Sequence, residues 1–518
     1  MTETNSVSDN SRVAKNTFIL YFRMAITLLV SLYTSRVVLQ ALGVEDFGIY
    51  NVVGGIVTSL SFLQHTFVIC FQRYFCRFIP YRDYKKLSAI LGAATYIVIG
   101  ISVVVVLVVE TIGVWFLNSK LQIPETRIFA ANIVLQLSLL TFIVTIFRSV
   151  YNAIILSFEE MSIYAYISIV EVVLKLIVAF CVAYVAYDHL IQYAFLMMIV
   201  GIIISSIYFI YVRSKYSYIE HDMNVINDKI IFRELGSFMG YSTIGTMANV
   251  LKTTFLAFVL NMFYGPIVNA ARSISFQVYT SVSSFTQSFQ TAFSPNMMKR
   301  CEIEEPEVIE KILHITSKFS FYAMFFLSFP ILIYTQPILE LWLSASNVPQ
   351  YAAFFTRIVL IIGLFETISA PIVNIVYAKG NIKGYMLYVS VALLCVVPFS
   401  YLALRLGFSP NVVYVIDLLF TVLAQIIRVY YLKKIWQFGY WTYLRNIVIP
   451  IILVSALSLM SGFFLAKLSS SLVYIVLGCI LAEIILLAVI LLVGINNTER
   501  KFLSEKIVEY VYRFRRSY

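Results

Sequence analysis

Long apolar runs, broken by short polar links, organise this chain. Residues 98–109 contain one polar position, Ser102. Residues 447–465 and 472–493 are each close to the roughly 20 residues that cross a hydrocarbon core as a helix. Alternating short strands are absent, which argues against a membrane β-barrel. The pattern predicts helical spans at 17–39, 48–72, 87–116, 128–150, 163–186, 190–212 and 237–262. Further spans are expected at 272–296, 312–335, 352–377, 386–405, 411–431, 446–467 and 470–494. The fold class is therefore all-α, a polytopic membrane protein of about 14 transmembrane helices. Short links such as Asp188-His189 and Gly407-Phe408-Ser409-Pro410 imply antiparallel hairpins.

Composition strengthens this reading. Of 518 residues, 60% are hydrophobic and 13% charged, and the mean hydropathy is +0.87. Soluble domains carry about 25% charged residues, so too few charges are present to clothe a chain of this length in water. The polar first sixteen residues lack the order of a cleavable signal peptide. Six cysteines show no metal-ligand spacing, and no disulfide or metal site is expected.

The formal charge of +11 is unevenly distributed. Roughly 25 basic residues fall on one set of links, among them Arg73, Arg77, Arg82, Lys85 and Lys86. The opposite set clearly holds only Lys120 and Arg127. This asymmetry places the basic side, with both termini, in the cytoplasm and requires an even number of spans. It also makes a nucleic-acid partner unnecessary. The stretch Lys506 to Tyr518 reads as a basic amphipathic tail on anionic headgroups.

The chain also resembles itself. Residues 152–168 align with 374–390 at an offset of about 222, and the same offset sets Gly43 on Gly265 and Tyr208 on Tyr430. Six helices fit within that offset, so the two halves start on the same side. The expected organisation is a cytoplasmic N-terminal tail (1–16), two parallel six-helix lobes (17–236 and 237–440), two additional helices (441–494) and a basic tail (495–518).

Charges inside apolar spans are costly and point to function. Arg23 and Arg36 lie on the first span, about 20 Å apart along the helix at 1.5 Å per residue. Lys252 lies deep in the seventh span, and Arg272 opens the eighth. These four are the candidate lining of a cationic cavity for an anionic headgroup, because arginine forks suit phosphate oxygens. Snorkelling or ion pairing between helices is the competing explanation. It is preferred for Arg148 and Arg357, near span ends, and a structural pair is expected for Glu171 and Lys175. Glu366 and Asp417 are candidates for coupling to a proton or cation, although Asp417 could instead pair with a base on another helix. The polar stretch Ser273 to Gln290 either lines a wet cavity or packs through interhelical hydrogen bonds. No P-loop, HExxH or GxSxG motif occurs, and neither enzymatic activity nor a cofactor is expected.

Several local patterns resemble the polysaccharide biosynthesis flippases of the multidrug/oligosaccharidyl-lipid/polysaccharide exporter superfamily. They are Leu42-Gly-Val-Glu-Asp-Phe-Gly-Ile-Tyr50, Tyr151 to Leu176, and Val268-Asn-Ala-Ala-Arg272 leading to Phe293-Ser-Pro295. The resemblance extends over the whole chain. It implies two lobes around a central cavity lined by spans one, two, seven and eight, operating by alternating access in the bacterial inner membrane. The implied substrate is an undecaprenyl-diphosphate-linked oligosaccharide destined for O-antigen, capsule or exopolysaccharide. Membrane lipids are the other implied partners, with room for further polysaccharide-assembly membrane proteins. A drug/cation antiporter of the same superfamily is the nearest rival and would favour an acidic cavity. A membrane glycosyltransferase or polymerase would need an outer-face loop or an acid cluster, and neither is evident. A nontransporting envelope scaffold is opposed only weakly, by the charges within the spans.

Overall fold

The computed structural model describes residues 2–58, 60–120, 123–184, 188–222, 229–343, 348–380, 382–436, 438–465, 472–496 and 499–500. The expected basic tail at 506–518 and the side chain of Arg36 lie outside the described residues. The described residues are helical, with no strand among them. The helices of the first half are α1 (Thr2–Thr58), α2 (Ser61–Phe78), α3 (Tyr84–Val108), α4 (Val114–Lys120), α5 (Ile128–Ser157), α6 (Met161–Tyr184) and α7 (His189–Lys215). They are followed by α8 (Lys229–Ile303), α9 (Pro306–Ile333), α10 (Thr335–Leu343), α11 (Ala352–Lys379), α12 (Lys383–Arg405) and α13 (Asn411–Trp436). The chain closes with α14 (Tyr440–Tyr443), α15 (Ile449–Leu465) and α16 (Leu472–Val489).

Among the described residues, twelve helices are long and apolar enough to cross a membrane. The other two expected spans, 17–39 and 272–296, are also helical, inside α1 and α8. The first contains only a short apolar stretch, Ile19–Ser31. The second carries the serines and glutamines that set it apart in the sequence. This is a multi-pass membrane protein.

Hydropathy places a loop between two spans around residue 43, and likewise around 265. The structure instead joins each pair through one glycine. Gly43 has φ 75° and ψ 170° inside α1, and Gly265 has φ 72° and ψ −166° inside α8. Side-chain-bearing residues are essentially excluded from this backbone region. The two bends stand at the offset read from the sequence, since 265 − 43 = 222. A Cβ added at either glycine meets no atom within 4 Å, so substitution costs backbone strain rather than collision. Gly43→Ala and Gly265→Ala are each expected to lower stability by about 1–3 kcal/mol, read as an earlier unfolding midpoint in detergent. Beyond the first bend, Arg127 is ion-paired to both Asp46 of α1 and Asp188, whose carboxylate caps α7 by accepting from the Leu190 and Ile191 amides.

The chain forms two compact units. Unit 1 comprises residues 1–250, 288–304 and 377–387; unit 2 comprises 251–287, 305–376 and 388–518. In unit 1, α1 packs on α6, α5 packs on α7, and α2 packs on α5. The run 66–76 of α2 is buried almost without interruption, including Arg73. The Arg73 guanidinium lies 4.5 Å from the ring centres of both Tyr74 and Phe238 and donates to the Tyr377 carbonyl. In the sequence it stands only among the basic link residues. In unit 2, Leu256, Leu260, Ala271, Phe355, Val396 and Tyr414 belong to one core built by α8, α11, α12 and α13. Helix α11 is the most enclosed span, with 61% of its apolar window buried, and it continues through Pro371. The last helices, α15 and α16, pack against α9. There Lys318, 1% exposed at its side chain, pairs with Glu499 at 2.8 Å, and the Tyr322 hydroxyl donates to the Gly494 carbonyl.

One link of unit 1 carries a pH-sensitive group. His221, after α7, contacts the Tyr151 hydroxyl through Nε2 at 3.3 Å and the Thr95 hydroxyl through Nδ1 at 3.5 Å. Burial, then the Arg213 charge, push its pKa below the usual histidine value. The unfolded chain therefore takes up this proton first, and the stabilisation is complete above about pH 6.5 and is lost as pH falls below it. A drop in thermal stability between about pH 7.5 and 5.5 is expected, either side of that value, and it should shrink in His221→Gln.

Candidate functional site

Most of the candidate charges in unit 2 fall in one neighbourhood. Lys252 of α8 and Asp417 of α13 form an ion pair at 2.9 Å, with side chains only 4% and 6% exposed. The sequence assigned Lys252 to cargo and Asp417 to coupling; in the structure each satisfies the other. A buried charge without a partner would be prohibitive. Twenty residues on, Arg272 bends back and donates to the Thr253 carbonyl at 2.6 Å, with its guanidinium 4.7 Å from the Phe276 ring centre. The third feature is Glu366, in the enclosed helix α11. It accepts from the Tyr279 hydroxyl of α8 at 2.6 Å and has no basic partner among the described residues. Asp417 lies within electrostatic reach of Tyr279 and Tyr414, and Arg272 within reach of Tyr414. Helices α8, α11 and α13 thus bring together Lys252, Arg272, Glu366 and Asp417, which the sequence named separately.

The second arm of α8 explains its polarity by its faces. Ser273, Gln277, Thr280 and Ser281 are exposed, at helical spacing along one side. Ser275, Val282, Ser283 and Thr286 are buried on the other. On the buried side Thr356 of α11 donates to Ser275 at 3.2 Å, an interhelical bond. On the exposed side the Ser273, Thr280 and Ser281 hydroxyls donate to carbonyls three or four residues back. The Gln277 amide has no protein partner among the described residues. The packing reading holds for the buried face, and the other face is exposed. An exposed glutamine on a membrane helix calls for water or a polar ligand, since hydrocarbon would leave its amide unsatisfied.

Unit 1 holds the other described candidate, Arg23 of α1. Its guanidinium sits 4.9 Å from the ring centre of Tyr164 on α6, and its Nε is buried without a hydrogen-bond partner. Beside it, Glu171 takes two bases, Lys175 at 2.7 Å and Arg148 at 3.0 Å. The expected Glu171–Lys175 pair is present. Arg148 does not simply snorkel: it reaches from α5 to α6 for this carboxylate and lies 5.8 Å from the Tyr208 ring centre. Tyr208 is within electrostatic reach of Arg23, Arg148, Glu171 and Tyr164. The cluster therefore contains three cations and one acid. Arg357, the other expected snorkeller, donates through Nε to the Thr335 hydroxyl of unit 2 at 3.0 Å.

Two buried bases escaped the sequence reading, Lys318 and Arg73. Lys318 stands six residues inside the span expected to begin at 312, and that depth was its only signal. Among the described residues no group of three His, Cys, Asp or Glu side chains is placed to hold a metal ion. All six cysteines are free.

No protein-family model matches the chain, and no curated protein matches it. Solved structures do. One is an outward-facing multidrug resistance MATE family transporter of the MOP superfamily, with TM-score 0.71 and 12% identity over 82% of this chain and 95% of that one. Another is a point mutant of the Vibrio cholerae MATE transporter VcmN, with TM-score 0.71 and 17% identity over 86% of this chain and all of that one. A MATE structure in complex with MaD3S has TM-score 0.71 and 11% identity, covering 83% of this chain and 97% of the other. The chain has a MATE-like transporter fold.

Proposed function

We propose that this chain is a membrane transporter working by alternating access, in the bacterial inner membrane with both termini in the cytoplasm. The orientation rests on the basic links, and the bacterial setting on the sequence resemblance. Transport is supported by the MATE-like fold together with ionised groups held inside apolar helices. Such groups are costly and cluster along ion and substrate paths.

Two cargo readings follow, each favoured by a different observation. The first is a lipid-linked, diphosphate-bearing oligosaccharide moved from the cytoplasmic to the outer leaflet. Its support is the cluster of Arg23, Arg148 and Lys175 around the single acid Glu171, with no carboxylate partner for Arg23 among the described residues. A guanidinium with a spare N–H is suited to a phosphate oxygen. Arg36, Lys252 and Arg272 are the other cations proposed to meet the cargo. The Asp417 pairing makes Lys252 a poor free cation, so Arg23 carries this reading. The second is a drug/cation antiporter. The similarity to MATE transporters, one of them a multidrug resistance transporter, supports it more directly than it supports the first. Glu366 favours it too, as a carboxylate inside a membrane helix whose partner among the described residues is a tyrosine hydroxyl and not a base. Neither reading needs a cofactor or an active site.

Deletion of the gene separates the two. The first reading expects lipid-linked repeat units to accumulate on the cytoplasmic leaflet. The second expects their export to be unchanged and susceptibility to lipophilic cations to rise. Complete loss of the lipid-linked units would indicate an enzyme acting earlier and would overturn both.

A further inference from the structure

Unit 1 holds a half-open pocket of about 300 Å³ that neither charge cluster lines. This is the small end of the roughly 300–1,000 Å³ range of ligand pockets. One wall comes from α1 and α2 at helical spacing: Tyr50, Gly54, Ser61 and Gln64. Ser138 of α5 faces it from another side. The Tyr50 hydroxyl, the Ser61 and Ser138 hydroxyls and the Gln64 amide have no hydrogen-bond partner among the described residues. None of the lining side chains carries a charge at neutral pH. The space is also kept open by sequence: a Cβ at Gly54 or Gly55 would meet nothing within 4 Å. Glycine inside a helix costs roughly 0.5–1 kcal/mol against alanine, and here it leaves volume beside four unpaired polar groups.

That combination selects a ligand class. A charged ligand would lose its hydration with no counter-charge to replace it. An apolar ligand would leave hydroxyl and amide groups unpaired, which is the larger penalty in discrimination. A neutral polyhydroxy ring satisfies both conditions. Its hydroxyls can exchange bonds with Ser61, Gln64, Ser138 and Tyr50, and its carbon face can lie on the apolar part of the wall. We infer that this cavity binds a neutral hexose unit. The inference deepens the oligosaccharide reading of the cargo, and its test is equilibrium binding, which reads separately from transport.

The experiment uses the full chain in lipid nanodiscs prepared without sugar-headed detergent. Methyl β-glucoside and N-acetylglucosamine are titrated by calorimetry, with tetraphenylphosphonium as competitor. The expected result is saturable binding of at least one sugar, unmoved by the cation. Gly55→Leu, which fills the space, should abolish binding, while Gly55→Ala should keep it. Gln64→Leu should weaken binding by about tenfold, the effect of one lost hydrogen bond of ~1.4 kcal/mol. Melting curves establish that each variant is folded. If Gly55→Leu proves unfolded, Gln64→Leu and Ser138→Ala carry the test. Absence of saturable sugar binding, binding unchanged in folded Gly55→Leu, or displacement by tetraphenylphosphonium would each overturn the inference. A chain that flips glycans yet binds no sugar here loses only this inference. A chain that binds sugar here yet exports cations loses only the oligosaccharide reading.

Discussion

Asp417→Ala is expected to lower stability by about 3–5 kcal/mol, the penalty for stranding a buried charge. The stranded group is Lys252, with a side chain 4% exposed and its ammonium 2.9 Å from the missing carboxylate. Lys252→Ala should cost a similar amount, because Asp417 is equally enclosed. The double variant Lys252→Met/Asp417→Leu removes both charges and keeps most of the volume. It should recover much of the loss, since well-packed apolar replacements of buried pairs are often neutral. Thermal unfolding of purified protein in one detergent checks all three. Additive losses in the double variant would mean that the two charges act separately. The same set has a functional reading: a double variant that folds and still transports assigns the pair to stability alone.

Arg23→Ala is expected to reduce movement of a diphosphate-bearing lipid by at least about tenfold, the effect of losing one charge-assisted hydrogen bond of ~1.5–3 kcal/mol. Stability should change little, because Arg23 has no carboxylate partner to strand among the described residues and rests on the Tyr164 ring. Arg23→Lys should recover part of the rate, since a point charge replaces a fork. Arg148→Ala should behave differently. It leaves Glu171 with Lys175 alone, so a stability loss should accompany any loss of transport. For the cation reading, Glu366→Gln is the matching variant: it keeps the contact with Tyr279 and removes the exchangeable proton. Flux assays in proteoliposomes at equal protein density distinguish these cases.

Hydropathy made the spans legible because the bilayer demands long, uninterrupted apolar helices, and a length of chain either meets that demand or does not. The bends at Gly43 and Gly265 were visible only as a repeated glycine, since a positive φ leaves no other mark in a sequence. Depth within a span singled out Lys252, Glu366 and Asp417 as costly groups, and Arg272 stood out at the start of one. Which group answers which charge was not legible. Lys252 and Asp417 stand 165 residues apart, and periodicity along one helix says nothing about the register of another. Lys318 carried the signal of depth and passed unnoticed, and its acid, Glu499, 181 residues away, was equally illegible as a partner. The polar stretch of α8 was ambiguous as a composition and resolved as a geometry, with one face packed through Ser275 and the other exposed at Gln277.

The central claim is that the chain moves a cargo between the two sides of a bilayer. Its most direct test places the purified protein in liposomes that hold a diphosphate-linked glycolipid in one leaflet, with a lipophilic cation assayed in parallel under a proton gradient. Appearance of the glycan at the opposite surface, readable by lectin capture and faster than in protein-free liposomes, is the predicted result. Cation flux alone would assign the transporter to antiport. No protein-dependent movement of either cargo, from a chain that melts as a folded protein, would contradict the account.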